Sequence, residues 1–488
     1  MRNSIPFPSR ADNRPLCIAH RGASEHAVEN TLEAFRIAAE LGAEMWEIDV
    51  WLTADGHPVV AHDADLSRVH GVDGNVADYS LVELRDVAPT VPSLDEVISL
   101  ARDVNCALYV EIKGLGAGRP SIERLKALDF TAAGLGSFNP AEVRDMVNAN
   151  CPYPLSVLVP VGRDPFAMAE LGGADIIHLC WERDGERPQD LVTPELIARA
   201  ESLGLGIVLW HEERRAILDD LLKLPVLGIC TNQPELMHGT DSVDMRGIGI
   251  VSQRGAHDFA PENTLAAAKL SLDQGCQWIS VDVRETADGE LVAIHDATLE
   301  RTTSGHGLVA DHTLAQLLEL DAGSFYSAHY GSEKIPTLAE MIHLCRSYGR
   351  YMLIENKDAD PASILAIVDA MGFADHCVHS SPDAALRAQL RSLSPDARIM
   401  SRRIDYSGLT ALKADLEPEI VEIEFDTYAA DHQEALALGL TPMLKYFGSD
   451  RAVFDQIVDF GPAMVNLDHA SLLLDALRRK AKDPAVNE

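Results

Sequence analysis

The strongest constraint on this chain is that its pattern is written twice. His20-Arg21-Gly22 followed by Glu29-Asn30-Thr31 returns as Gln253-Arg254-Gly255 followed by Glu262-Asn263-Thr264, at a shift of 253 − 20 = 233. The same shift carries Asp49 onto Asp282, Asp55-Gly56 onto Asp288-Gly289, His62 onto His295 and Arg68 onto Arg301. Further along it becomes 336 − 92 = 244, taking Pro92-Ser93-Leu94 to Pro336-Thr337-Leu338, and Glu111 and Lys113 to Glu355 and Lys357. Chance does not hold a register that long. The chain therefore reads as two domains of one kind, 1–237 and 247–488, joined by a polar linker at 238–246. Each copy is roughly 240 residues, the usual size of a single β/α barrel.

Within copy one, short apolar, β-branched runs alternate with segments of 3.6-residue apolar spacing. Eight runs are predicted as strands: 16–20, 46–50, 108–113, 133–138, 155–159, 175–179, 206–210 and 227–231. Helices are expected between them, at 31–41, 94–102, 141–149, 194–203 and 214–222 among others. The run at 59–62 follows too closely on 46–50 for a parallel crossover and reads as a hairpin excursion. Copy two repeats the scheme at 249–253, 278–283, 352–357, 376–380, 397–401, 419–424, 442–446 and 463–467. The fold class is α/β, two tandem TIM-type (β/α)8 barrels. Asn30 with Glu33 is expected to form a capping box opening the first helix, which would make the Glu-Asn-Thr triplet a structural cap.

The chemistry concentrates at 45–63, MWEIDVWLTADGHPVVAHD. Residues two apart on a strand share a face, so Glu47 and Asp49 stand side by side. Two adjacent anions on an apolar strand repel, and a solvated strand edge is the bland explanation of such a pair. The alternative is a hard cation such as Mg²⁺ or Ca²⁺, which takes carboxylate oxygens. In a β/α barrel the site is built at the carboxyl ends of the strands. In copy one those ends carry His20-Arg21, Glu47, Asp49 and Glu111 with Lys113, and the hairpin returns His62. Three carboxylates suit one divalent metal ion. Arg21 and Lys113 suit a phosphate, and two histidines suit proton transfer near neutral pH. Trp181 and Trp210-His211 are candidates for lining a substrate pocket, with packing an equally good account of each.

Composition narrows the remaining choices. A formal charge of −35 repels nucleic acid and anionic headgroups, which excludes nucleic acid as a partner and leaves a small-molecule substrate. No apolar run is long enough for a membrane helix and the first residues are polar, so no stable membrane insertion is expected and a cytoplasmic protein is. Eight cysteines without CxxC spacing read as reduced core residues. Oligomeric state is not legible.

IAHRG, ENTLEAF, WEIDVWLTADGHPVVAHD, a PSL helix start, YVEIK and GLGSF together closely resemble the glycerophosphodiester phosphodiesterase family, of the phosphatidylinositol-phospholipase-C-like barrel type. The resemblance covers nearly all of both copies. It implies a metal held by Glu47, Asp49 and Glu111, an acid/base pair of His20 and His62, and phosphate contacts from Arg21 and Lys113. The reaction it implies is hydrolysis of a glycerophosphodiester to glycerol 3-phosphate and an alcohol.

Copy two departs where it matters, with Gln253 in place of the first histidine and Ser280 in place of the first carboxylate, while Arg254, Asp282, His295, Glu355 and Lys357 remain. It is expected to be catalytically impaired. Copy one lacks the family's insert after the second histidine, which only copy two has, as Arg301-Thr302-Thr303 and Asp321-Ala322-Gly323-Ser324-Phe325. Its pocket is therefore expected to be more open, and sphingomyelinase-D-like, sugar phosphodiester or lysophospholipid substrates stay as alternatives. The rival from another class is a non-catalytic, phosphate-ligand-binding or scaffold protein.

Overall fold

The computed structural model describes residues 5–9, 14–181, 187–238 and 247–481. The chain divides into two compact units, Met1–Met237 and His238–Glu488. Of the expected linker 238–246, all but His238 lies outside the described residues. Among those residues no helix is long and apolar enough to cross a membrane.

The first unit is a closed barrel. Its strands are β1 (Leu16–His20), β2 (Met45–Leu52), β3 (Pro58–Val60), β4 (Ala107–Ile112), β5 (Ala133–Ser137), β6 (Leu155–Pro160), β7 (Ile176–Cys180), β8 (Gly206–Trp210) and β9 (Gly228–Thr231). Eight are parallel and run in the order β1-β9-β8-β7-β6-β5-β4-β2, with β1 pairing β2 to close the ring. β3 lies antiparallel on β2, Val50 opposite Val60, as a hairpin. The crossover helix Leu94–Asp103 buries one apolar stripe, Leu94, Val97, Ile98 and Ala101, and Ser93 with Glu96 forms its capping box.

Alternation decides what fills the barrel. Ile18, Met45, Tyr109, Ile176 and Val208 belong to one buried cluster, and Phe7 packs against it from the N-terminal segment, 6.1 Å from Tyr109. Above them His178 bonds the Tyr109 hydroxyl at 2.9 Å, and burial pushes its imidazole down to about 3. It is a neutral core histidine.

The first helix corrects one expectation. Its cap is Thr31, whose hydroxyl accepts from the Ala34 N–H, and not Asn30. Asn30 sits at φ 57°, in the left-handed region, which turns its side chain away from the helix and toward β2.

The second unit repeats the architecture with β10 (Gly249–Gln253), β11 (Trp278–Glu285), β12 (Leu291–Ala293), β13 (Tyr351–Asn356), β14 (Cys377–Ser380), β15 (Met400–Arg402), β16 (Ile420–Glu424), β17 (Thr441–Tyr446) and β18 (Met464–Leu467). The strand expected at 397–401 begins only at Met400, and β14 meets this segment through the single bridge His379–Ile399, so the ring is nearly closed. Its interior is an apolar layer with one residue from each parallel strand: Val251, Trp278, Leu353, Val378, Met400, Ile420, Met443 and Met464. The insert after His295 leans on the first loop, Tyr326 and Tyr330 donating to the Asp258 and Phe259 carbonyls at 2.6 and 3.0 Å.

Candidate active site

β1, β2 and β4 lie side by side, and register brings their ends to one level: His20 opposite Glu47, and Asp49 opposite Glu111. The strand period turns Glu47, Asp49 and Glu111 to the same face. Each offers a carboxylate oxygen, and the three lie within 4.8 Å of one another. All three side chains are buried.

Two cations enter this group, and both go to Asp49. Arg21 Nε lies 3.3 Å from Asp49 Oδ2 and Lys113 Nζ lies 3.2 Å from Oδ1, with a further 2.8 Å contact to Glu111. Asn30 Nδ2 donates to Asp49 Oδ2 at 2.8 Å. Arg21 is itself held by Glu29, which Arg68 also grips, and Arg68 in turn holds Asp63 beside His62. Glu29 and Asn30 thus belong to the site, where the sequence suggested a cap. The loop that carries them is tight: Arg21 has φ 61°, and a Cβ on Gly22 would come within 2.8 Å of Ala34.

Three buried carboxylates against two cations leave one negative charge in excess. Burial, then Asp49, then Glu111 push the Glu47 carboxyl well above the ordinary range, and burial with Asp49 raises Glu111 to about 7. Glu47 Oε1 and Glu111 Oε2 have no hydrogen-bond partner. A hard divalent ion about 2.0–2.6 Å from each oxygen fits this spacing and this donor set. Among the described residues this is the one such group of three.

A stability prediction follows. A carboxyl raised from about 4.5 to about 7 on folding contributes stability that is present below the lower value and lost as pH rises through the upper one. In EDTA, Glu111→Gln is expected to gain on wild type between pH 4.5 and 7, by roughly 3 kcal/mol at most. Urea melts at the two pH values measure it; a gap that stays constant with pH would contradict the charge excess.

The histidines differ in their backing. His20 Nδ1 lies 2.7 Å from the Asn232 side-chain oxygen, while its buried Nε2 has no hydrogen-bond partner. An amide oxygen only accepts, so Nδ1 carries the proton and Nε2 the lone pair. Burial, with Arg21, lowers its pKa well below the usual value, and the ring stays neutral. His211 stacks on His20 at 4.8 Å and Trp210 meets it edge-on at 5.0 Å. His62, about a quarter exposed, has Nδ1 2.7 Å from Asp63; burial, with Arg21 and Lys113 working against Asp49, leaves its pKa below the usual value. Its backbone is anchored by the Trp51 indole, which donates to the His62 carbonyl at 3.1 Å. Trp181 lies just past β7, partly buried, next to 182–186, which are outside the described residues.

The sequence reading missed Asn232. Its signal was the closure itself: in a closed barrel the end of the last strand must lie beside the end of the first.

In the second unit the backbone is kept. Arg254 and Asn263 have φ 56°, Asn263 Nδ2 donates to Asp282 at 2.9 Å, and Arg254 and Lys357 hold Asp282 at 3.1 and 2.9 Å. Lys357 also pairs with Glu355, and His295 with Asp296. Gln253 and Ser280 fill the places of His20 and Glu47, each opposite the other across β10 and β11.

Comparison with known proteins matches both units. The family model described as "Glycerophosphoryl diester phosphodiesterase family" matches residues 20–236 and 254–444. The chain is 31% identical over 242 residues to a glycerophosphodiester phosphodiesterase of Caldanaerobacter subterraneus, covering 46% of this chain and 96% of that protein. It is 36% identical over 118 residues to one of Bacillus subtilis, covering 22% of this chain and 40% of that protein. A solved glycerophosphodiester phosphodiesterase from Agrobacterium tumefaciens is 35% identical, with TM-score 0.45, covering 47% of this chain and 99% of that one.

Proposed function

The chain belongs to the glycerophosphoryl diester phosphodiesterase family and is a phosphoric diester hydrolase, and we propose that the first unit alone carries the hydrolysis, with a divalent metal ion, releasing glycerol 3-phosphate and an alcohol. The observation that carries this reading is the convergence of Glu47, Asp49 and Glu111, with oxygens left unpaired, beside a neutral His20.

Glu47, Asp49 and Glu111 would hold one Mg²⁺ or Ca²⁺, which when bound supplies Lewis-acid polarisation of a phosphoryl oxygen. Arg21 and Lys113, already turned inward by Asp49, orient the phosphate and offset its charge. His20, with its Nε2 lone pair free, takes the proton of the attacking water. His62, backed by the Asp63 carboxylate, gives a proton to the departing alcohol. Water adds to phosphorus, the ester P–O bond breaks, and the two imidazoles exchange one proton charge between them. In the second unit Gln253 does not titrate and Ser280 brings no negative charge, so that unit is impaired.

The test compares equivalent positions in the full-length protein. Hydrolysis of glycerophosphocholine with Mg²⁺ or Ca²⁺ is expected to fall about 10²–10⁴-fold in His62→Ala and to stay within twofold in His295→Ala. Equal losses would overturn first-unit catalysis.

Asn232 acts as a positioning residue through His20. Asn232→Asp places a carboxylate behind the imidazole and favours its charged form, so the acidic limb of the kcat/KM profile is expected to move up by about one pH unit or more. Asn232→Leu, which frees the tautomer, is expected to lower kcat about tenfold with little change in that limb. Profiles from pH 5 to 9 decide it, and an unmoved limb in Asn232→Asp would remove Asn232 from the role.

A further inference from the structure

Two residues beyond the apolar layer of the second barrel, the same inward face turns polar on every strand. Gln253, Ser280 and Asn466 stand there with 5%, 1% and 3% of their surface exposed, and Gln253 Oε1, Ser280 Oγ and Asn466 Oδ1 have no hydrogen-bond partner. Buried polar atoms left unpaired across one strand-end ring are costly unless something binds them.

The charges around that ring are rearranged relative to the first barrel. Arg402 stands opposite Glu422 in register, where Leu158 stands opposite His178, and its guanidinium is held by Asp405 at 3.0 Å; Lys445 stands opposite Glu424 where Trp210 stands opposite Cys180. Lys445 Nζ lies 3.1 Å from Glu424 and 3.7 Å from Glu422, whose other oxygen accepts from Asn466 at 2.8 Å. Arg254 and Lys357 keep the places of Arg21 and Lys113. Meanwhile Ser280 has removed one of the three carboxylates, so Asp282 and Glu355 now face two cations. That wall is balanced where the first unit's wall carries one negative charge in excess, and a bound anion needs no metal there.

We propose that the strand ends of the second barrel form a metal-independent binding site for a small polyol phosphomonoester, the product class of the first unit's reaction. The phosphate sits on Arg254 and Lys357, with Arg402 and Lys445 on the facing wall. The hydroxyls pair with Glu422 and with the orphaned atoms of Gln253, Ser280 and Asn466. No bond is made or broken. The proposal rests on reading Arg21 and Lys113 as phosphate contacts.

The test is calorimetric titration of sn-glycerol 3-phosphate into full-length protein carrying Lys113→Ala, in EDTA, so that the first unit contributes neither its lysine nor a metal. One site per chain is expected. Arg402 is about a third exposed, so Arg402→Ala removes charge with little risk to folding and is expected to weaken binding at least tenfold, with Arg402→Lys recovering most of it. Lys357→Ala is expected to do the same. Absence of binding, or binding indifferent to both variants, overturns the site. Inorganic phosphate binding as tightly as glycerol 3-phosphate overturns the polyol part. Hydrolysis by the wild type is scored separately: a chain that hydrolyses but does not bind here loses only this proposal, and one that binds here but hydrolyses nothing loses only first-unit catalysis.

Discussion

Glu47→Gln is expected to lower kcat/KM for glycerophosphodiesters by about 10³-fold or more, on the order of 4 kcal/mol of transition-state stabilisation, while the metal-free protein becomes more stable. The two halves of this result come from the same geometry. Glu47 is buried beside Asp49 and Glu111, and its Oε2 accepts from the Arg21 N–H at 3.2 Å while Oε1 has no hydrogen-bond partner. Glutamine keeps the shape and one acceptor. It removes the charge that a cation requires and that its absence makes repulsive. Metal analysis should find one divalent ion per wild-type chain and none in the variant. A variant that keeps both ion and activity would show that the acidic group serves folding alone. A variant that loses activity without gaining stability in EDTA would point to damaged packing.

The second large effect separates the two histidines. His20→Ala is expected to reduce turnover about 10³-fold for every substrate, because the proton of the attacking water must leave whatever the departing group is. His62→Ala should cost as much with choline or ethanolamine as the leaving alcohol. With p-nitrophenol, which departs without help, the loss should shrink to about tenfold or less. The assignment follows from what stands behind each ring. An amide oxygen backs His20, and burial with Arg21 keeps it neutral. A carboxylate backs His62, and Asp63 is held in place by Arg68. The reverse pattern, with His20→Ala rescued by the good leaving group, would exchange the roles. Insensitivity of both to the leaving group would mean that bond breaking is not limiting.

Glu29, Asn30 and Thr31 show how one motif divides between two tasks. The triplet with Thr31 reads as a cap, and Thr31 is the cap. Its neighbours reach Arg21 and Asp49, because Asn30 adopts a left-handed backbone that a helix-start pattern does not announce. Asn263 repeats that conformation in the second unit and again reaches the strand aspartate. The hairpin excursion, by contrast, was legible, since chain length alone forbids a parallel crossover between β2 and β3.

The linear order of residues was sufficient for whatever depends on period. The doubled pattern implies two barrels, the two-residue strand period sets Glu47 beside Asp49, and the replacements Gln253 and Ser280 are visible without coordinates. Only the closed barrel decides what depends on shear between strands distant in sequence. Asn232 meets His20 across 212 residues because β9 returns to β1, Phe7 closes the interior of the first unit, and eight separate strands set one polar ring above one apolar layer in the second. Local spacing dictates which face a side chain takes; the register of closure, a property of the whole ring, dictates which other side chains it finds there.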